Sequence, residues 1–348
     1  MTNREMIQQL ERDGKLSYEQ WVSLFSSFTE EDRDFASQTA RKITDGKFGR
    51  KIYIRGIIEF SNICRNDCLY CGIRKSNKNV QRYRLSEKEI LECCDKGYGY
   101  GFRTFVLQSG EDRFFTSSKM ADIIEKIKFY HPDCAVTVSM GEMSRSEYLE
   151  MYLAGADRYL LRHETADKNH YEKLHPKDMS FQNRMKCLVT LREIGYQTGC
   201  GMMIGSPFQT AECLAEDMIF MEKFRPHMIG TGPFIPHRDT PFADQKQGSA
   251  SLTLFILSLC RIMLPDVLLP ATTALGTVDP KGREKGILCG ANVVMPNLSP
   301  VNVRKNYMLY DNKICTGDES AQCIGCMRKR MESIGCEIEI SRGDYKND

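Results

Sequence analysis

The chain has 348 residues, of which 41% are hydrophobic and 27% are charged, so it is long enough to bury a large core. Its 48 basic and 46 acidic residues leave a net charge of +2, which predicts binding neither to nucleic acid nor to an anionic membrane surface. It has no signal-peptide core and no run of about 18 apolar residues, so we expect a cytoplasmic protein. An odd count of 15 cysteines argues against a disulfide framework.

The first 50 residues predict a helical cap that precedes the main domain. Apolar residues recur there at helical spacing, and Ser17 and Thr29 are suitable N-caps. No residue of this segment suggests chemistry.

From residue 51 onward the pattern alternates between strand and helix. The predicted strands cover 52–60, 104–108, 135–140, 158–162, 197–204, 228–231, 267–270 and 292–295. Helices are predicted over 86–96, 117–130, 144–153, 180–194, 210–224, 249–263 and 282–289. Strands that alternate with helices form a parallel α/β sheet, and eight such units close naturally into a (β/α)8 barrel of the TIM type. We expect the barrel over 51–310 and a cysteine-bearing extension over 311–348, with an open sheet as the alternative.

Three cysteines follow the first predicted strand with the spacing C-x3-C-x2-C: Cys64, Cys68 and Cys71. Three thiolates in one loop can hold an iron–sulfur cluster. A cubane has a fourth iron, which this loop leaves open to a ligand that is not a protein side chain. Zinc bound by three thiolates and water is the alternative.

The cysteine motif, with Tyr70 before its last cysteine, resembles the signature of the radical S-adenosylmethionine (SAM) superfamily. Glu59-Phe60-Ser61-Asn62, Cys71-Gly72-Ile73-Arg74, Arg162-His163-Glu164-Thr165, Phe181-Gln182-Asn183-Arg184 and Met295-Pro296-Asn297-Leu298-Ser299-Pro300 are similar to the biotin-synthase-like branch. The resemblance is strongest to the HydE family of FeFe-hydrogenase maturases. That family usually has Gly-Leu-Pro-Gly-Gln-Thr where this chain has Gly205-Ser206-Pro207-Phe208-Gln209-Thr210.

The resemblance implies two cofactors, a [4Fe–4S] cluster on the three cysteines and SAM on its open iron. The reduced cluster would cleave SAM into methionine and a 5′-deoxyadenosyl radical. The expected SAM neighbours are Tyr70, Gln108, Ser109, Glu164 and Arg184. A carboxylate at Glu164 suits the ammonium or ribose hydroxyls of SAM, and the Arg184 guanidinium suits its carboxylate. A solvated acid and an exposed helix face are the alternatives for these two residues.

The family's substrate cavity corresponds to a second group of residues. They are Ser139, Arg158, Arg162, Thr272, Thr273 and Tyr307. Arg158 and Arg162 lie on one face of their strand, and Arg162 is nearer the mouth. A guanidinium deep in a barrel is costly unless paired, so an interior ion pair is the alternative for Arg158.

A second cysteine group follows the predicted barrel, at Cys315, Cys323 and Cys326. It can bind iron–sulfur or zinc, and the resemblance implies an accessory 2Fe–2S or 4Fe–4S cluster. Three free cysteines are the alternative.

The resemblance implies an enzyme that matures the FeFe-hydrogenase active site. Its substrate would be a cysteine-bound iron carbonyl–cyanide complex made by HydG, and HydF and a reducing electron donor would be further partners. Two other functions stay open: a radical SAM mutase like methylornithine synthase, and a non-enzymatic iron–sulfur scaffold or carrier. Biotin synthase fits less well, because it needs a further cluster inside its barrel.

Overall fold

A computed structural model of the chain describes residues 1–316 and 324–346. Its helices are α1 (Asn3–Asp13), α2 (Tyr18–Ser27), α3 (Glu30–Phe48), α4 (Glu87–Gly99), α5 (Ser117–Tyr130), α6 (Arg145–Leu153), α7 (Lys168–Leu174), α8 (Phe181–Ile194), α9 (Ala211–Phe224), α10 (Ala250–Met263), α11 (Thr273–Val278), α12 (Gly282–Leu288), α13 (Val301–Arg304) and α14 (Ile324–Glu332). Its strands are β1 (Lys51–Ile54), β2 (Gly56–Ser61), β3 (Thr104–Ser109), β4 (Ala135–Ser139), β5 (Arg158–Leu160), β6 (Gln197–Cys200), β7 (Met203–Ile204), β8 (Met228–Ile229), β9 (Gly232–Pro233), β10 (Val293–Val294) and β11 (Glu337–Glu339).

The strands close into a parallel barrel. Six of them pair in the order β2-β3-β4-β5-β6-β8. From β8 the ring continues through bridges from Met228 to Leu268 and from Pro270 to Val293 of β10. A bridge between Ile57 and Asn297 then returns to β2. The prediction of an α/β barrel is therefore confirmed.

Helix starts agree with the predicted caps because short polar side chains satisfy the first free N–H groups. The predicted caps Ser17 and Thr29, and likewise Ser86 at the start of the predicted helix over 86–96, each accept a hydrogen bond from the backbone N–H three residues later and form a reciprocal capping box. These caps fix where α2, α3 and α4 begin, and α4 covers the strand that leads to the cysteine loop.

The three N-terminal helices share one apolar core with the outer helices of the barrel. Trp21 is completely buried and stacks on Phe25 with 5.7 Å between ring centroids. Phe28 stacks on Phe255 of α10 at 4.5 Å. The domain limits at residues 50 and 310 stay predictions. In the described part of the chain, no helix is long and apolar enough to cross a membrane.

The C-terminal extension returns to the end of the barrel opposite the mouth. Strand β11 pairs in parallel with β1, where Glu337 lies opposite Lys51. Residues 342–345 then bond to the first residues of several barrel strands. The Arg342 carbonyl accepts from Thr104 Oγ1 at 2.8 Å, and Tyr345 N donates to Gln197 Oε1 at 3.0 Å. The tail therefore covers the base of the barrel.

Arg158 lies at this base, which corrects its prediction as a substrate-cavity residue. It is the first residue of β5, and the first residues of parallel strands lie at the end opposite the mouth. Its guanidinium is fully buried, lies 2.5 Å from Asp344 Oδ1 and donates to Thr104 Oγ1 at 3.0 Å. The interior ion pair is the correct alternative, and its acid comes from the C-terminal tail.

Replacing Asp344 with alanine should lower the free energy of unfolding by about 1–3 kcal/mol, because Arg158 would lose its carboxylate while it stays buried. The Asp344 side chain is 33% exposed, so the loss should fall below that for a fully buried pair. Chemical denaturation measures the change, and Asp122→Ala on the exposed face of α5 is the control. A variant as stable as wild type would argue against a stabilising pair.

Candidate active site

The loop after β2 brings three half-buried thiols to the mouth of the barrel. Burial, and then the nearby Cys64, raises the pKa of Cys71 to about 12. The pKa of Cys68 is also raised, first by burial and then by Cys71 and Cys64, so the three thiols share one space. They would ionise together only next to a compensating positive charge.

The arrangement of these thiols fits an iron–sulfur cubane. In residues 1–316 and 324–346, no three His, Cys, Asp or Glu side chains are placed to hold a single metal ion. A cubane binds each thiolate through a different iron atom, so the three sulfur atoms need not converge on one point.

Arg82 holds the cysteine loop in shape from within. Its Nη1 donates to the carbonyls of Asn62 at 2.6 Å and Ile73 at 2.8 Å. Its Nη2 donates to the carbonyls of Arg74 at 2.6 Å and Asn77 at 3.1 Å. One guanidinium thus satisfies four loop carbonyls. No sequence pattern indicated this role, because the acceptors are backbone atoms.

The end of β3 lies directly against the cysteine loop. A Cβ atom at Gly110 would come within 2.4 Å of the Ile63 carbonyl oxygen and 2.8 Å of Cys64 Cβ, so only glycine fits there. The next residue, Glu111, accepts from Arg65 Nε at 2.8 Å. These contacts fix Cys64 beside the predicted SAM neighbours of β3.

Tyr70 is anchored by His175, which the sequence did not identify as a site residue. Burial lowers the pKa of His175 to about 3, so its ring is neutral. Its Nδ1 lies 2.9 Å from the Tyr171 carbonyl and therefore carries the proton. Its Nε2 then accepts from the Tyr70 hydroxyl at 3.2 Å. The Leu69 N–H also donates to the Leu174 carbonyl at 3.0 Å, so α7 supports the cysteine loop.

Glu164 presents a buried carboxylate oxygen that accepts no hydrogen bond from any described residue. Its backbone has a φ of 67°, an uncommon conformation for a residue other than glycine. Its Oε2 lies 3.0 Å from Arg162 Nη2, but without hydrogen-bond geometry. Arg162 Nε is also buried without a partner among the described residues. Glu164 Oε2 is thus an acceptor, and Arg162 Nε a donor, without a hydrogen-bond partner among the described residues. Such a pair suits a ligand that has both an ammonium and an anionic group.

Arg184 contacts Arg162 of this pair, and two of its three guanidinium nitrogen atoms already donate hydrogen bonds. Its Nε donates to Glu142 Oε1 and its Nη1 to the Arg162 carbonyl, both at 2.6 Å. Its side chain is buried, so the predicted exposed-face alternative is wrong. Nη2 has no hydrogen-bond partner in the described part of the chain.

A buried polar network forms another part of the mouth. The Lys313 ammonium lies 2.5 Å from Glu59 Oε1 and donates to the Tyr307 carbonyl at 2.8 Å. Gln108 Nε2 reaches the Tyr307 hydroxyl at 3.4 Å. The structure thus brings Gln108 and Tyr307 together. The sequence did not identify Lys313, because it lies beyond the predicted barrel and pairs with a residue far away in the chain.

The other predicted residues lie at strand ends with varied partners. Ser139 ends β4 half-buried, and Ser109 Oγ donates to the Gly110 carbonyl at 2.7 Å. Thr272 is the N-cap of α11, so its hydroxyl already accepts from Leu275 N. Thr273 accepts from Arg283 Nη2 at 3.4 Å.

The second cysteine group is only partly described. Cys315 is half-buried, and its Sγ lies 3.1 Å from Arg283 Nη2. Cys326 lies on α14, and Cys323 is outside the described residues. A second cluster there stays a prediction.

Comparison with known proteins places this site in a family. The Radical SAM superfamily model matches residues 58–221. The chain is 46% identical over 338 residues to the [FeFe] hydrogenase maturase subunit HydE of Thermotoga maritima, covering 96% of this chain and 95% of that protein. It is 28% identical over 325 residues to 3-methylornithine synthase of Methanosarcina acetivorans, covering 93% and 90%. The crystal structure of methylornithine synthase (PylB) matches with a TM-score of 0.82 at 25% identity, covering 96% and 97%.

Membership of this superfamily implies a [4Fe–4S] cluster and SAM as cofactors. The high identity to HydE extends over almost the full length of both chains, well beyond the region that the superfamily model matches. The chain therefore belongs to the HydE family of the radical SAM superfamily and is a radical SAM enzyme.

Proposed function

We propose that the protein acts in the maturation of the FeFe-hydrogenase active site, where it modifies a cysteine-bound iron carbonyl–cyanide complex supplied by HydG. The observation that carries the proposal is the 46% identity to HydE over 96% of the chain. HydF and a low-potential electron donor are the further partners that we propose.

In this proposal Cys64, Cys68 and Cys71 hold the cluster at the mouth. When bound, the reduced cluster and SAM supply a 5′-deoxyadenosyl radical. The Glu164 carboxylate accepts hydrogen bonds from the ligand's ammonium, and its leftover Oε2 supports this role. Tyr70, held by His175, forms one wall of the same space.

The substrate would lie deeper in the barrel, against the remaining strand ends. Arg162 supplies a guanidinium with an unused Nε for an anionic iron complex. The uncharged side chains that we propose to line the substrate cavity are Ser139, Thr272, Thr273 and Tyr307. The buried Glu59–Lys313 pair contributes no net charge. The positive group offered to the complex is therefore the Arg162 guanidinium, whose Nη2 also lies 3.0 Å from Glu164 Oε2. Burial in a water-poor cavity protects a radical from side reactions.

We also propose an accessory iron–sulfur cluster on Cys315, Cys323 and Cys326. The contact of Cys315 with the Arg283 guanidinium supports it, because a cluster bound by thiolates carries negative charge and would lie beside this positive group. We assign it no catalytic role.

A mutase like methylornithine synthase is the second candidate function, since the PylB structure has the same barrel. The identity of 46% to HydE, against 28% to the synthase, favours the maturase. Incubation with lysine and SAM separates the two, because only the mutase forms methylornithine.

The proposal predicts that an FeFe-hydrogenase matured with every component except this protein stays at background activity. Addition of the wild-type protein should restore hydrogen evolution, whereas addition of the Cys68→Ala variant should not. Hydrogen evolution from reduced methyl viologen is the measurement. Full activation without the protein would refute the maturase function.

A further inference from the structure

Tyr171, on α7, has a buried hydroxyl group without a hydrogen-bond partner in the described part of the chain. Its side chain is fully buried, and the hydroxyl has no hydrogen-bond partner among residues 1–316 and 324–346. The ring, by contrast, is firmly held. It stacks on His175 with 3.9 Å between centroids and meets Phe181 edge-on at 5.5 Å. A buried hydroxyl without a partner calls for an explanation, and a hydrogen bond to a bound ligand provides one here.

The Tyr171 ring lies between the cysteine loop and the start of α8. His175, on which the ring stacks, is bonded to Tyr70 of the cysteine loop at 3.2 Å, and Phe181, which meets the ring edge-on, is the first residue of α8. Burial raises the pKa of Tyr171, and the charges of Arg184, Glu142 and Cys68 also act on it. Because the pKa is raised, the phenol stays protonated and can donate a hydrogen bond. Arg184 lies three residues after Phe181 and so on the same face of α8, and its Nη2 has no hydrogen-bond partner among the described residues.

Arg184 needs help to bind a ligand anion. Its guanidinium already forms an ion pair with Glu142 at 2.6 Å, so a second carboxylate would meet the repulsion of the first. A neutral donor next to the guanidinium offsets that repulsion by a hydrogen bond to the incoming oxygen. The Tyr171 hydroxyl is a buried donor that bonds to none of the residues 1–316 and 324–346.

We propose that the Tyr171 hydroxyl and Arg184 Nη2 together bind the carboxylate of the methionyl group of SAM, while Glu164 binds its ammonium. This inference rests on the proposed SAM-binding role of the site. It assigns two roles to α7 and its C-cap, because His175 at the C-cap positions Tyr70 and Tyr171 within the helix contacts the ligand directly.

The test measures SAM binding to cluster-loaded protein by anaerobic calorimetry, for wild type and for Tyr171→Phe. The variant keeps the stacked ring and removes only the hydroxyl. The Kd for SAM should rise about 10–100-fold, as for the loss of a hydrogen bond to a charged group. The Kd for decarboxylated S-adenosylmethionine, which lacks the carboxylate, should be the same for both proteins. Without ligand, the Tm of Tyr171→Phe should equal or exceed that of wild type.

Tyr196→Phe is the matched control, because its hydroxyl is buried but donates to the Tyr148 carbonyl at 2.8 Å. It should bind SAM normally and melt at a lower temperature. Equal SAM affinity of wild type and Tyr171→Phe would overturn the inference alone. So would a fall in Tm for Tyr171→Phe as large as that for Tyr196→Phe, or a failure to fold, since either would show a structural role. Absence of saturable SAM binding by wild type would instead defeat the proposed function.

Discussion

The Cys68→Ala variant should lose reductive SAM cleavage entirely, with 5′-deoxyadenosine at the background level. Two thiolates remain in the loop, and a cubane held at two irons is lost to solvent or chelators. Arg82 and Asp67 keep the loop in shape through bonds that do not involve Cys68, so we expect the variant to fold. Product is measured by chromatography after anaerobic reconstitution and reduction by dithionite.

The control for this variant is Cys93→Ala, a buried cysteine on α4. It should retain wild-type iron content at the first site and wild-type product. Cleavage by Cys68→Ala at the wild-type rate would show that the first cysteine group does not hold the catalytic cluster.

Replacing Glu164 with glutamine should weaken SAM binding by about 10–100-fold, because a charge-assisted hydrogen bond to the ammonium is lost. Glutamine keeps the size of the side chain and removes the charge that faces Arg162. The Kd is measured with cluster-loaded protein, and Glu193→Gln, in an exposed ion pair with Arg145, is the control.

Decarboxylated S-adenosylmethionine distinguishes the residues that bind the ammonium of SAM from those that bind its carboxylate. Glu164→Gln should weaken its binding as much as that of SAM, since the ammonium is intact. Tyr171→Phe should leave its binding unchanged. A Glu164→Gln variant with wild-type affinity for SAM would show that the Glu164 carboxylate does not bind the ammonium of SAM.

Local patterns in the sequence were sufficient to predict the barrel. Eight strands that alternate with helices have few ways to fold, and the caps at Ser17, Thr29 and Ser86 lie within their own segments. The cluster-binding loop could be predicted for the same reason, because its three cysteines lie within eight residues of one another.

Contacts between distant segments could not be predicted. The strand pattern gave the face on which Arg158 lies but not its partner, Asp344, which is 186 residues further along the chain. Lys313 likewise reaches Glu59 across 254 residues. Helix α7 has only seven residues, too few for a periodic pattern, so Tyr171 and His175 had no signal of their own.

The most direct test of the site is the reaction of the reconstituted wild-type protein with SAM and dithionite under anaerobic conditions. We predict methionine and 5′-deoxyadenosine in equal amounts, formed only when both the reductant and the cluster are present. No 5′-deoxyadenosine from a protein that carries the cluster and is fully reduced would contradict the assignment of the barrel mouth as a radical SAM site.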